Sequence, residues 1–96
     1  MRLTVSEEAA NWYKEALHID DGSKVRFFVR YGGCSTVQKG FSLGVKSDDP
    51  LKIGASDEQN GITFFIEDED LWFFDEHDVS VTLDEQGEEP LFHYNK

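Results

Sequence analysis

Val25-Arg26-Phe27-Phe28-Val29-Arg30-Tyr31-Gly32-Gly33-Cys34 is the stretch on which the reading of this chain turns. Val25, Phe27, Val29 and Tyr31 alternate with Arg26, Phe28 and Arg30. A period of two residues predicts a strand with one apolar face. Two glycines then lead to Cys34, the only cysteine in the sequence. They predict a loop at the end of the strand, with the thiol at least partly open to solvent. Cys34 has two readings. It is a small, partly buried residue in a glycine turn, or it is a reactive or metal-binding thiol. Nearby Arg30 and the N–H groups of a glycine turn would both favour thiolate.

Upstream, the pattern changes to that of a helix over residues 6–18. Ser6 is placed to be its N-cap, and Glu7 and Glu8 follow in the first turn, where the helix dipole favours anions. Ala9, Trp12, Tyr13, Ala16 and Leu17 recur at helical spacing and predict one apolar stripe. Asp20-Asp21-Gly22 supplies turn chemistry after it.

Downstream, everything reads as short strands. Phe41, Leu43 and Val45 alternate with polar or small residues, and residues 51–55 could form another strand. Ile62-Thr63-Phe64-Phe65-Ile66 follows the turn pair Asn60-Gly61. Leu71-Trp72-Phe73-Phe74 is apolar on both faces, Val79, Val81 and Leu83 alternate cleanly, and Leu91-Phe92-His93-Tyr94 comes last. Turn signals at this spacing predict a β-rich α+β fold, mostly antiparallel, with one N-terminal helix packed against it. Residues 1–96 are read as a single domain.

Apolar residues make up 39% of the chain and aromatic residues 14%, enough to close a modest core without disulfides. The N-terminal residues lack the apolar stretch of a signal peptide, and no run approaches the roughly 20 apolar residues of a membrane helix. A cytoplasmic location is therefore expected.

The net charge of −11 is unevenly placed. Residues 1–47 carry seven Lys/Arg and five Asp/Glu, whereas residues 48–96 carry two and fifteen. Nucleic acid and anionic membranes both require clustered cations, so neither is an expected partner. An acidic half suits a basic protein partner, or is simply a solvated surface. The run Glu67-Asp68-Glu69-Asp70 reads as a solvated hairpin turn, since it lacks the glycine and spacing of a calcium loop.

Enzyme signatures are missing. There is no phosphate-binding Gly-x-x-x-x-Gly-Lys-Ser/Thr loop, no dinucleotide glycine pattern and no Cys-x-x-Cys. No catalytic residues are expected.

Leu3-Thr4, a helix with internal alanine, Val25-Arg26-Phe27, Gly32-Gly33-Cys34-Ser35 and Phe41-Ser42-Leu43 together resemble the front half of the HesB-like domain, the A-type iron–sulfur carrier family. Gly61-Ile62-Thr63-Phe64, Asp70-Leu71-Trp72-Phe73-Phe74, Val79-Ser80-Val81-Thr82 and Phe92-His93-Tyr94-Asn95 follow that family's order in the back half. The resemblance implies a small β-barrel or two-sheet core. In typical members it also implies iron or cluster binding by three cysteines.

Of those three, only Cys34 carries over, in the loop with Gly32, Gly33 and Ser35. Typical members continue past the Asn with a Cys-x-Cys tail, whereas this sequence stops at Lys96. A homodimer with facing Cys34 residues would offer two thiolates to a labile iron or [2Fe–2S] cluster, and His93 or His77 could complete the set. The simpler reading of His93 is that it faces solvent or makes a core hydrogen bond, and that of His77 is a turn residue. The resemblance thus implies an iron–sulfur cluster assembly or iron-handling accessory protein with a reduced site. Its partners would be proteins that donate or accept a cluster. The alternative is a cofactor-free interaction module whose acidic half docks a basic partner.

Overall fold

The structure is a computed structural model describing residues 1–34 and 39–95, with only the backbone described over 31–34 and 39–41. Its elements are β1 (Leu3–Val5), α1 (Glu7–Ala16), β2 (Lys24–Cys34), β3 (Lys39–Ser47), β4 (Ile53–Gln59), β5 (Ile62–Glu67), a 3₁₀ helix (Asp68–Phe74), β6 (Asp78–Leu83) and β7 (Pro90–Asn95). The described strands form two mixed sheets, ordered β1-β6-β7 and β3-β2-β5-β4. The β-rich α+β expectation holds, in its two-sheet form.

Helix α1 starts where its cap chemistry predicts. Ser6 is extended, and its hydroxyl accepts the Ala9 N–H at 3.1 Å. The helix ends sooner than residue 18. His18 adopts a left-handed φ of 53°, its N–H reaches the Glu15 carbonyl at 3.3 Å, and the Ile19 N–H reaches that of Lys14 at 3.1 Å. This pair of bonds closes the last turn in the Schellman manner, with His18 in the position usually taken by glycine. The buried face is Ala9, Ala10 and Tyr13, with Trp12 and Leu17 packed at its margin. Ala16 is exposed, so the apolar stripe is rotated toward Ala10.

The sheets bury their apolar faces against each other and against α1. Phe27 of β2 stacks on Phe64 of β5 with centroids 5.8 Å apart, meets Tyr13 of α1 edge-on at 5.6 Å, and meets Phe92 of β7 edge-on at 5.6 Å. These four rings join the helix and both sheets. Strand β5 lies between β2 and β4 and is buried on both faces from Phe64 to Glu67. It enters from Asn60 and Gly61, both at positive φ, as a two-residue hairpin turn requires.

One predicted strand is not a strand. Leu71 to Phe74 belong to the 3₁₀ helix, which puts Phe73 and Phe74 into the core and leaves Trp72 half exposed. An apolar run without clear alternation does not separate a buried strand from a buried helical turn. Glu67, expected in a solvated turn, is only 4% exposed at the end of β5.

Two measurements check this packing. Trp12 stacks edge-on against Tyr13 at 5.3 Å, and its indole N–H donates to the Glu88 carbonyl at 3.1 Å. Truncation of a half-buried Trp in Trp12→Ala is expected to cost about 2 kcal/mol. The thermal midpoint should fall by roughly 10 °C, and an unchanged midpoint would refute the docking of α1. Burial also pushes the Tyr13 phenol well above its ordinary range, and raises that of Tyr94. As pH passes about 10, the unfolded chain loses these protons while the native chain keeps them. Stability should therefore fall as pH rises through that region, and Tyr13→Phe should fall less steeply.

Candidate functional site

Cys34 is the last residue of β2. The antiparallel pairing with β3 runs from Val25↔Ser47 to Tyr31↔Phe41, then resumes at Cys34↔Lys39 after a register shift. Gly32, Gly33 and Cys34 are thus in a strand, where a loop was expected. The physical reason is the partner: β3 offers a ladder that continues past Tyr31, and the glycines fall where the register shifts, a common place for glycine in a sheet. The side chain of Cys34, the whole of Ser35 and the expectation that the thiol meets solvent lie outside the described residues.

His93 belongs to the other sheet, His77 lies between the 3₁₀ helix and β6, and both have local partners. Phe92 and Tyr94 of β7 pack against the core, so His93 between them points to the opposite face and is exposed. It pairs with Ser80 in the ladder, and its Nε2 is hydrogen-bonded to Thr82 Oγ1 at 2.9 Å. His77 follows the 3₁₀ helix. Its Nδ1–H donates to the Phe74 carbonyl at 2.7 Å, and its backbone N–H reaches the same oxygen at 2.8 Å. Asp75 and Glu76 precede it with left-handed φ values of 47° and 65°. His77 therefore secures a strained chain reversal.

The acidic residues are built into the structure more than their sequence suggests. The Glu67 carboxylate accepts the N–H groups of Leu51 at 2.8 Å and Lys52 at 3.0 Å, and so holds the β3–β4 connection against the end of β5. The Lys52 carbonyl accepts the Asp68 N–H at 2.8 Å, completing the brace. Arg26 of β2 lies 3.1 Å from Asp70, 3.4 Å from Glu69 and 3.8 Å from Asp48. Its Nε is buried without a hydrogen-bond partner among the described residues. The sequence held no signal for the role of Glu67, because its partners are backbone amides some 15 residues away.

The donor set can be compared with a cluster. Each chain has one thiol, whereas a cluster takes four thiolates or histidine replacements for some of them. Among the described residues, no three His, Cys, Asp or Glu side chains gather as metal ligands. The ligands of a single chain do not fit a cluster. Nor is any helix among the described residues long and apolar enough to cross a membrane.

The iron–sulphur cluster biosynthesis family model matches residues 1–90. The chain is 58% identical to a Bacillus subtilis protein named pyruvate dehydrogenase inhibitor, over 98% of this chain and 99% of that protein. It is also 34% identical to an uncharacterized protein of Staphylococcus saprophyticus, over 88% of this chain and 90% of that one. An uncharacterized protein of Staphylococcus aureus is 32% identical, over 92% of this chain and 94% of its own length. With its two sheets, single N-terminal α-helix and Cys34 at the end of β2, the chain belongs to the iron–sulphur cluster biosynthesis family.

Proposed function

We propose that this protein is a cytoplasmic, non-catalytic regulator that binds pyruvate dehydrogenase and lowers its activity. The observation that carries this reading is the 58% identity, over essentially both full lengths, to the B. subtilis pyruvate dehydrogenase inhibitor. The site chemistry is in keeping with it. His77 and His93 are engaged in local hydrogen bonds, and the net charge of −11 gives a partner an acidic surface to meet. A protein of net charge −11 associates fastest with a basic surface and gains specificity from charge matching. In this reading the family's fold serves as a binding scaffold, and the function lies on its surface.

The test is titration of the purified protein into the pyruvate dehydrogenase complex of the same cell, following pyruvate-dependent NAD reduction. Activity should fall in proportion to the protein added, and Cys34→Ala should inhibit as well as the wild type. Full activity at a large excess of the wild type would refute the reading.

A second reading is favoured by the family match itself. Two chains with facing Cys34 residues would hold a labile iron or [2Fe–2S] cargo and pass it to a protein acceptor. Anaerobic addition of iron and sulfide separates the readings. A visible absorbance that disappears in Cys34→Ala, with no effect of the protein on pyruvate dehydrogenase, would favour the carrier.

A further inference from the structure

The two residues that join β4 to β5 are a reactive pair as well as a turn. Asn60 has a φ of 53° and Gly61 a φ of 80°, and Gln59 pairs with Ile62 across them. Positive φ at both positions makes this the mirror image of a type I turn. It is also the only Asn-Gly pair in the sequence. In such a pair the glycine nitrogen attacks the side-chain amide readily, because glycine has no Cβ to shield it. Gly61 is exposed and Asn60 is half-buried, so water reaches both.

The native turn holds the reacting atoms apart. Ring closure needs the Gly61 nitrogen on the same side of the Asn60 Cα–C bond as Cβ. The mirror-image type I turn sets ψ of its first central residue at about +30°. With tetrahedral geometry at Cα, that ψ points the Gly61 nitrogen away from Cβ. The peptide between Asn60 and Gly61 must therefore turn over before the ring can close. Three contacts oppose that rotation. The Gly61 carbonyl accepts the Gly22 N–H at 2.7 Å, and the Asn60 carbonyl accepts from Lys14 Nζ at 3.5 Å. The Asp21 carboxylate lies so close to Gly61 that a Cβ there would come within 2.8 Å of its carbon. The side-chain amide is held as well: Asn60 Nδ2 donates to Asn11 Oδ1 at 2.8 Å and to the Glu7 carbonyl at 3.2 Å.

We propose that Asn60 is a deamidation site gated by opening of this turn, and that its conversion is a one-way record of the opening. In the opened turn the Gly61 nitrogen forms a bond to Asn60 Cγ as its proton passes to water. The bond from Cγ to Nδ2 breaks, and the nitrogen leaves as ammonia. A second water opens the cyclic imide, and residue 60 becomes aspartate or isoaspartate. No oxidant or reductant takes part. The product does not rebuild the native seam. A carboxylate only accepts hydrogen bonds, and the Glu7 and Asn11 oxygens that Nδ2 joined are acceptors too. Isoaspartate also adds a carbon to the main chain inside a two-residue turn. Helix α1 and the β4–β5 hairpin thus lose the amide bridge between them.

The experiment keeps the full chain at slightly alkaline pH, folded or unfolded in urea. Conversion is read by mass spectrometry, as the exchange of NH2 for OH in the digestion fragment that carries residue 60. The unfolded chain should convert faster by about tenfold or more, a protection equal to about 1.4 kcal/mol of opening. Asn11→Ala removes one acceptor of the amide, so it should speed conversion of the folded chain and leave the unfolded rate unchanged. Asn60→Asp should lower the thermal midpoint by about 5 °C. Equal folded and unfolded rates, or a folded Asn11→Ala no faster than the wild type, would overturn the gating. An unfolded chain that does not convert would overturn the site itself. An Asn60→Asp midpoint equal to that of the wild type would mean that conversion leaves the seam intact, and the record would have no structural consequence to carry.

Discussion

Val5 ties the two sheets together. Strand β1 is three residues long and pairs with β6 along one edge only. On its other edge the Val5 N–H donates to Asp57 Oδ2 at 2.8 Å, and the Val5 carbonyl accepts from Gln59 Nε2 at 3.4 Å. Both side chains come from β4, the edge strand of the second sheet. Val5 is 1% exposed, so without them its polar groups would be buried and unpaired, at about 1–3 kcal/mol each. The Asn60 side chain extends the seam by donating to the Glu7 carbonyl and to Asn11 Oδ1. Three polar side chains at the end of one hairpin thus set the start of α1. The ring cluster of Tyr13, Phe27, Phe64 and Phe92 packs against the position they define.

The same economy governs the acidic side. Glu67 ends β5 with its carboxylate turned to the β3–β4 connection, and its two hydrogen bonds satisfy amides that no strand reaches. That brace, the close approach of Leu71 over Gly54 and the Arg26 ion pairs hold the 3₁₀ helix against the sheet. The half-exposed ion pairs of Arg26 with Glu69 and Asp48 add little stability by themselves. Their larger consequence is placement, since they tie the 3₁₀ helix and the β3–β4 connection to β2.

The family fold is carried by the buried apolar residues of α1 and of both sheets. Among the described residues, the two sheets are held by apolar burial and by the Asp57 and Gln59 bonds.

The sequence by itself determined the elements whose cause is local. Ser6 capped α1, the Asn60-Gly61 pair turned β4 into β5, and two-residue alternation marked β2, β3 and β6. The motifs around Gly32-Gly33-Cys34-Ser35 were enough to identify the family. Tertiary structure decided what depended on distant partners. Strand β2 extends through its glycines because β3 lies beside it, and Leu71 to Phe74 coil because two aromatic rings must enter one core together. His77 bonds back to the end of the 3₁₀ helix, and His93 bonds to Thr82 on the sheet that lacks Cys34. Glu67 looks like one carboxylate in a run of four, and only the fold turns it inward to two waiting amides. Local pattern follows from steric and capping preferences of neighbouring residues; burial and long-range hydrogen bonding exist only once the sheets have met.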